Sequence, residues 1–199
     1  ELKTKIIIKK LSNVFILFFI FLSLLSCHPV EVLDDVIFDN NLLAKISINA
    51  EDKNINEVYE ISYIEPYIDY SLKTPPLVRI NSWLDQNINV FGSQNVLTIK
   101  IINASLTRIE IENKSKKKYL EKNEFLYEIH FLLEFLLHDD YDQILATTEI
   151  EAKRSTTSSK FISLYEKEMI IDTLILDALI DVSLKSEELL KKHMFEYML

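Results

Sequence analysis

Four groups of residues in this 199-residue chain have the types and spacing that reactions or ligands require. Cys27 is the chain's one cysteine and ends the run Leu24-Leu25-Ser26-Cys27. Its thiol is the most nucleophilic group in that segment, and Ser26 beside it is small enough to leave the adjoining peptide bond accessible. Glu128, His130, Glu134 and His138 alternate with apolar residues, so on a strand they share one face with i,i+2 neighbours about 7 Å apart. Glu128 and His130 have the chemistry of two metal ligands or of an acid/base pair. An ordinary solvated sheet face explains the same alternation, and no second His or Cys cluster supplies further ligands, so no metal is expected. Asp139, Asp140 and Asp142 resemble a weak Ca²⁺ loop but lack the EF-hand's glycine and distal glutamate; a polar hairpin turn is the simpler reading. Ser155, Thr156, Thr157, Ser158 and Ser159 carry hydroxyls without the glycines of a nucleophile elbow, and helix capping accounts for them. No catalytic residue is assigned.

The scarcity of two residue types excludes whole functions. One glycine cannot build a dinucleotide fingerprint or a phosphate-cradling loop, where backbone must approach phosphate closely. One cysteine rules out an internal disulfide, a Cys-rich zinc site and a CxxC redox pair. No cofactor is expected.

The N-terminal segment reads as a targeting signal. Lys3, Lys5, Lys9 and Lys10 precede an apolar run from Val14 to Leu25 that only Ser23 breaks. That run falls short of the roughly 20 residues a bilayer span needs, and charge followed by a short apolar stretch and small residues is the secretory pattern. Leu24-Leu25-Ser26-Cys27 resembles a bacterial lipobox. The resemblance implies diacylglycerol on the Cys27 sulfur, cleavage before Cys27 and further acylation of the new amine. Residues 1–26 are thus the expected signal peptide, 27–42 a lipidated Cys and tether, and 43–199 a single domain. An uncleaved anchor with an incidental cysteine is the alternative. His28 stands where the inner-membrane retention signal of enteric bacteria has Asp, which favours the outer membrane. The absence of an initiator Met suggests a slight truncation at the start.

Loss of residues 1–26 removes four Lys and one Glu and moves the formal charge from -9 to -12. Affinity for phosphate backbones comes from clustered Lys and Arg, so no nucleic-acid partner is expected. Lys114, Lys116, Lys117, Lys118 and Lys122 form the one basic cluster of the mature chain, a candidate contact for anionic lipid headgroups or an ordinary solvated loop.

The elements that would hold these groups follow from periodicity. Ala44, Ile46, Ile48 and Ala50 alternate with polar residues as a half-buried strand does, and the polar stretch 51–57 interrupts it. Val58 to Tyr70 reads as a second extended piece, with Pro66 marking an edge. A helix is expected from Pro75-Pro76, capped by Thr74, to a stop at Gly92, with Leu77, Ile80, Leu84, Ile88 and Phe91 on one face and Trp83 beside them. Val96 to Glu112 reads as a long strand with two parity shifts, each a bulge. Odd residues from Phe125 to Leu137 form the clearest strand face, and Ile144, Ala146, Thr148, Ile150 and Ala152 return inward along the next, with Thr147, Glu149, Glu151 and Lys153 outward. Phe161 to about Met194 is a closing helix with the stripe Leu164, Ile171, Ile175, Ala178 and Val182. Its middle is apolar nearly all round except Asp172, Asp177 and Asp181, which suggests a sandwiched position. Leu126, Leu132 and Leu136 lie on the other strand face, which therefore docks a partner or lipid or is covered by the tether or the chain's own end.

The predicted fold class is α+β: one mostly antiparallel sheet of four to five strands covered on one face by two helices, in the order β-β-α-β-β-β-α. A lipobox, a short tether and such a layer resemble the small envelope lipoproteins of Gram-negative bacteria, among them LptE-like lipoproteins of lipopolysaccharide (LPS) assembly and auxiliary lipoproteins of ABC-type transport systems. Trp83-Leu84-Asp85 with Gly92, Ile102-Asn103-Ala104-Ser105, Ala152-Lys153-Arg154-Ser155-Thr156-Thr157 and Leu164-Tyr165-Glu166-Lys167-Glu168 resemble an uncharacterised alphaproteobacterial lipoprotein group over residues 40–185. The pattern departs after Trp83, where that group has a basic residue and this chain has Asp85, Gln86 and Asn87. The resemblance implies a non-enzymatic, lipid-anchored binding or scaffold accessory in lipid or LPS transport or outer-membrane assembly. Its expected partners are the membrane, through the lipid, and an envelope protein. The reading from another class is a metal-dependent or hydrolytic periplasmic enzyme using Glu128 and His130.

Overall fold

A computed structural model describes residues 36–113 and 122–199, which belong to one compact unit, Val36–Leu199. Its elements are β1 (Ile46–Ile48), β2 (Asp52–Glu57), α1 (Pro76–Asn87), β3 (Ile88–Val90), β4 (Val96–Glu112), β5 (Asn123–His138), β6 (Ile144–Ser159) and α2 (Leu164–His193). The larger sheet has the strand order β2-β4-β5-β6, parallel between β2 and β4 and antiparallel elsewhere. β1 and β3 form a separate parallel pair. The molecule is a mixed α+β fold, with its helices packed on a largely antiparallel sheet.

Alternation makes the core. Tyr127, Ile129, Phe131, Leu133, Phe135 and Leu137 of β5 are all buried, together with Leu97, Ile99 and Ile101 of β4 and Ile150 and Ala152 of β6. Successive side chains of a strand point to opposite faces, so these residues make one continuous apolar surface. α2 lays Ile171, Ile175, Ala178 and Val182 into the same core cluster, and α1 adds Ile80, Trp83 and Leu84. Leu164, expected on the α2 stripe, is instead 69% exposed. α2 starts at a capping box in which Ser163 and Glu166 satisfy each other's backbone N–H groups. The Ser155–Ser159 hydroxyls do not cap it; they belong to β6.

The first third of the chain departs from the expected pattern. Residues 52–57, read as an interruption, are strand β2, held by parallel pairing to β4 although only two of the six side chains are half-buried. The span 58–70, read as extended, contributes no strand: it leaves the sheet after Val58 N and Tyr59 N both donate to Ile101 O, and returns as a single bridge between Tyr67 and Thr107. Pro66 does sit at an edge, where its carbonyl accepts from Arg108 N at 2.8 Å. α1 ends at Asn87, five residues before Gly92. Its last turn is closed by Lys53 Nζ, which donates to the carbonyls of Leu84 (3.0 Å), Asp85 (2.8 Å) and Ile88 (2.8 Å). An ammonium on the final carbonyls of a helix also meets the negative end of its dipole. Ile88 then enters β3, and Phe91 lies outside at 63% exposure. Pro75, not Thr74, holds the N-cap position.

Only the first of the two expected bulges in β4 is present, between Ile101 and Asn103. Beyond it the register with β5 runs unbroken to Glu112, so Ile109 lies opposite Leu126 on the outer face. A second shift between β5 and β6, at Leu137/His138, turns Ile144 away from the core and leaves it 59% exposed. The chain's end pairs along β1: Tyr197 O accepts from Asn49 N (2.7 Å) and Leu199 N donates to Ser47 O (3.0 Å).

Candidate functional site

The sheet face away from the helices carries the polar residues singled out by the sequence. Register places Ser105, His130 and Lys153 side by side across β4, β5 and β6, and Thr107, Glu128 and Ser155 in the next row. With Asn103 and Tyr67 they line a groove of about 350 Å³. The bulge after Ile101 is what brings Asn103, Ser105 and Thr107 to this face. The pairing of Tyr67 with Thr107 places Tyr67 at its side. The signal for the β4 residues was in the sequence, since an inward Ile102, Ala104 and Leu106 leaves 103, 105 and 107 outward. Tyr67 had no such signal, because its position depends on pairing between distant segments.

Glu128 and His130 share this face, as expected, but the His130 partner is on another strand. His130 Nε2 lies 3.0 Å from Glu151 Oε1, and Lys153 Nζ reaches the same oxygen at 2.5 Å. Burial lowers the His130 pKa from the ordinary histidine value, Lys153 lowers it further, and Glu151 opposes both. The ring is therefore neutral at pH 7. The Lys153 hydrogen bond holds the Glu151 carboxyl below its usual range. Glu134 pairs with Lys100 at 2.9 Å, and His138 Nδ1 stands 3.7 Å from Asp142. His130 and Glu134 thus have separate partners and His138 Nδ1 makes no hydrogen bond, and among the described residues no three His, Cys, Asp or Glu side chains gather as a metal cluster. The Asp139 carboxylate accepts from Tyr141 N (2.9 Å) and Gln143 N (2.8 Å), so it is engaged in building the turn.

Cys27 and Lys114, Lys116, Lys117 and Lys118 lie outside the described residues. Lys122 is described at the base of the β4–β5 hairpin, where its carbonyl accepts from Asn113 N at 2.8 Å.

No family model matches the sequence, and no curated protein does. Solved structures show likeness in backbone course. A minor lipoprotein from Acinetobacter baumannii aligns at 7% identity over 76% of this chain and 96% of its own, with a TM-score of 0.40. Rare lipoprotein B from Shewanella oneidensis aligns at 18% identity over 72% of this chain and 100% of its own, with a TM-score of 0.37. A homologue of a neuraminyllactose-binding hemagglutinin from Helicobacter pylori aligns at 15% identity over 85% of this chain and 95% of its own, also with a TM-score of 0.37.

Chemically the groove is a hydrogen-bonding surface. Hydroxyls and the Asn103 amide can each donate and accept. Asn103 Oδ1 already accepts from Ser105 N at 2.9 Å, which fixes the amide's direction. Ser105 stands opposite His130 in register, yet the imidazole bonds to Glu151. The positions and partners favour holding a polar molecule.

The three aspartates of α2 also find partners. Arg154 of β6 binds Asp181 through two nitrogens (2.6 and 2.8 Å) and approaches Asp177 at 3.8 Å. Arg79 of α1 pairs with Asp172 at 2.9 Å while lying over the Phe38 ring. These pairs join β6 and α1 to α2 and account for carboxylates on a largely apolar helix.

Proposed function

We propose that this protein is a non-enzymatic bacterial envelope lipoprotein, held on the periplasmic side by lipid on Cys27 and acting as a binding accessory. The single observation that carries the reading is the sequence Leu24-Leu25-Ser26-Cys27: the chain's one cysteine stands where a lipobox requires it, behind a basic and then apolar segment. Two or three acyl chains hold a protein durably where one does so only marginally, so a fully acylated Cys27 needs no protein span. Among the described residues no helix is long and apolar enough to cross a membrane. The outer membrane is the favoured location, from His28 after the cysteine. A role in lipid or LPS transport or in outer-membrane assembly, with an envelope protein as partner, suits a small α+β domain with a polar groove.

Lys114, Lys116, Lys117, Lys118 and Lys122 are proposed to meet anionic headgroups, each contributing about 1 kcal/mol near such a surface. Replacing all five by Gln should weaken binding of the purified protein to vesicles of anionic lipid and leave binding to zwitterionic vesicles unchanged. Equal loss on both would remove the electrostatic contact from the account. The partner is tested by crosslinking in intact cells. Recovery of a transport or outer-membrane component supports the reading, and recovery of the free monomer alone counts against it.

A further inference from the structure

The outer-face groove has a ligand chemistry of its own. Its two rows, Ser105–His130–Lys153 and Thr107–Glu128–Ser155, cross three strands, with neighbouring strands about 4.8 Å apart and the rows about 7 Å apart. A volume of about 350 Å³ is at the small end of ligand sites, which begin near 300 Å³, so it suits one or two rings rather than a lipid chain. Ser105 is only 5% exposed and forms the floor. Tyr67 adds an aromatic surface to the wall.

The charges in and beside the groove decide what kind of ring. Lys153 is paired with Glu151 at 2.5 Å, Arg154, which also lines the groove, is held by Asp181 on the helix side at 2.6 Å, and His130 is kept neutral chiefly by burial. Glu128 is exposed and remains an acceptor. No surplus of positive charge is left to select a phosphate or sulfate, and the carboxylates are too dispersed to hold a cation. What remains is a lattice of two-way hydrogen-bonding groups beside an aromatic ring. Among the described residues, the hydroxyls of Thr107 and Ser155 have no side-chain partner. A molecule complementary to that surface carries hydroxyls around its edge and C–H groups on its face, which is the chemistry of a sugar ring. We infer that this groove binds a short, uncharged segment of a glycan chain. The inference rests on the binding role proposed above and assigns that role a ligand class.

The test uses the full chain in detergent micelles. Saturation-transfer NMR is recorded with the N-acetylglucosamine tetramer and, separately, with maltotetraose at millimolar concentration. Transfer to at least one of the two is expected. It should weaken about tenfold in affinity in the Thr107→Val/Ser155→Ala double variant, as loss of two hydrogen bonds implies. Thr147→Val, on the same face but outside the groove, should leave it unchanged. If the double variant does not fold, Ser155→Ala alone is expected to weaken transfer in the same direction. Absence of transfer to both sugars, or transfer indifferent to the groove variants, overturns the inference. Such a failure leaves the lipid anchor standing, because acylation is read independently by mass.

Discussion

Buried polar side chains fix the junctions of this fold. Asn87, almost fully buried, donates through Nδ2 to the carbonyls of Asn40 (2.6 Å), Leu43 (3.2 Å) and Ala44 (3.3 Å), tying the segment before β1 to the end of α1. Asn87→Ala strips the side-chain donor from those carbonyls, the buried Leu43 O among them, while Asn40 O keeps the Leu43 N–H at 3.2 Å; the change should cost about 2 kcal/mol, measured by urea unfolding. Asp69 is fully buried and accepts from the Tyr59 hydroxyl at 2.7 Å. Burial pushes its carboxyl above the usual range, and the Tyr59 hydrogen bond pulls less strongly the other way. A native state with the higher pKa binds the proton more tightly than the unfolded chain does. Its stabilising contribution is therefore complete below the ordinary carboxylate value of about 4 and is lost as pH rises through the folded value. The stability difference between the native protein and Asp69→Asn should accordingly shrink as pH is raised from acid toward neutrality. A difference that grows over that interval contradicts the assignment. Asp181 behaves oppositely: the Arg154 hydrogen bond holds it low, so its contribution fades as pH falls. None of these roles was legible in the sequence, because a polar residue's type does not reveal which distant backbone it will meet.

The legible elements were those whose burial repeats. The odd residues of β5 announced a core strand, the change of parity after Ile101 announced its bulge, and the α2 stripe was visible over several turns. β2 was missed because Asp52–Glu57 buries almost nothing; its strand conformation comes from pairing with β4. Gly92 was misread for a related reason. Helix stops commonly use glycine for a left-handed backbone, but Gly92 has no positive φ. It is needed because the chain just after β1 passes close by: a Cβ there would stand 2.5 Å from Asn49 Oδ1 and 2.9 Å from Ala50 N. Gly92→Ala should therefore displace the Asn49–Ala50 backbone that follows β1 and cost about 1–3 kcal/mol, as overpacking does, visible as a lower midpoint in urea. A neutral or stabilising substitution would show that the contact yields freely. The true end of α1 predicts a second effect. Lys53→Met retains most of the side-chain bulk but removes three hydrogen bonds to the last turn, and should lower the melting temperature even though Lys53 makes no contact with the groove side chains.

Taken together, the two sheets, α1 and α2 form a domain built around one continuous apolar core. The chain's last residues belong to that domain. Removal of residues 195–199 takes away the Tyr197 and Leu199 hydrogen bonds to β1 and should lower the melting temperature by several degrees. The general architecture was readable because two helices and a long hairpin each bury one continuous stripe. The separate β1–β3 pair and the groove wall at Tyr67 were not, since both depend on contacts between segments far apart in the chain. The groove's polar lattice underlies the proposed ligand class, whereas the proposed place in the cell rests on Cys27. The most direct measurement is therefore the intact mass of the protein extracted from the membranes of an expressing bacterium, with Cys27→Ser alongside. The account predicts a chain that begins at Cys27 and is heavier than its peptide by diacylglycerol and an amide-linked acyl group, both lost in the Ser variant. An unmodified Cys27 in a chain that retains residues 1–26 and still sediments with membranes would contradict it.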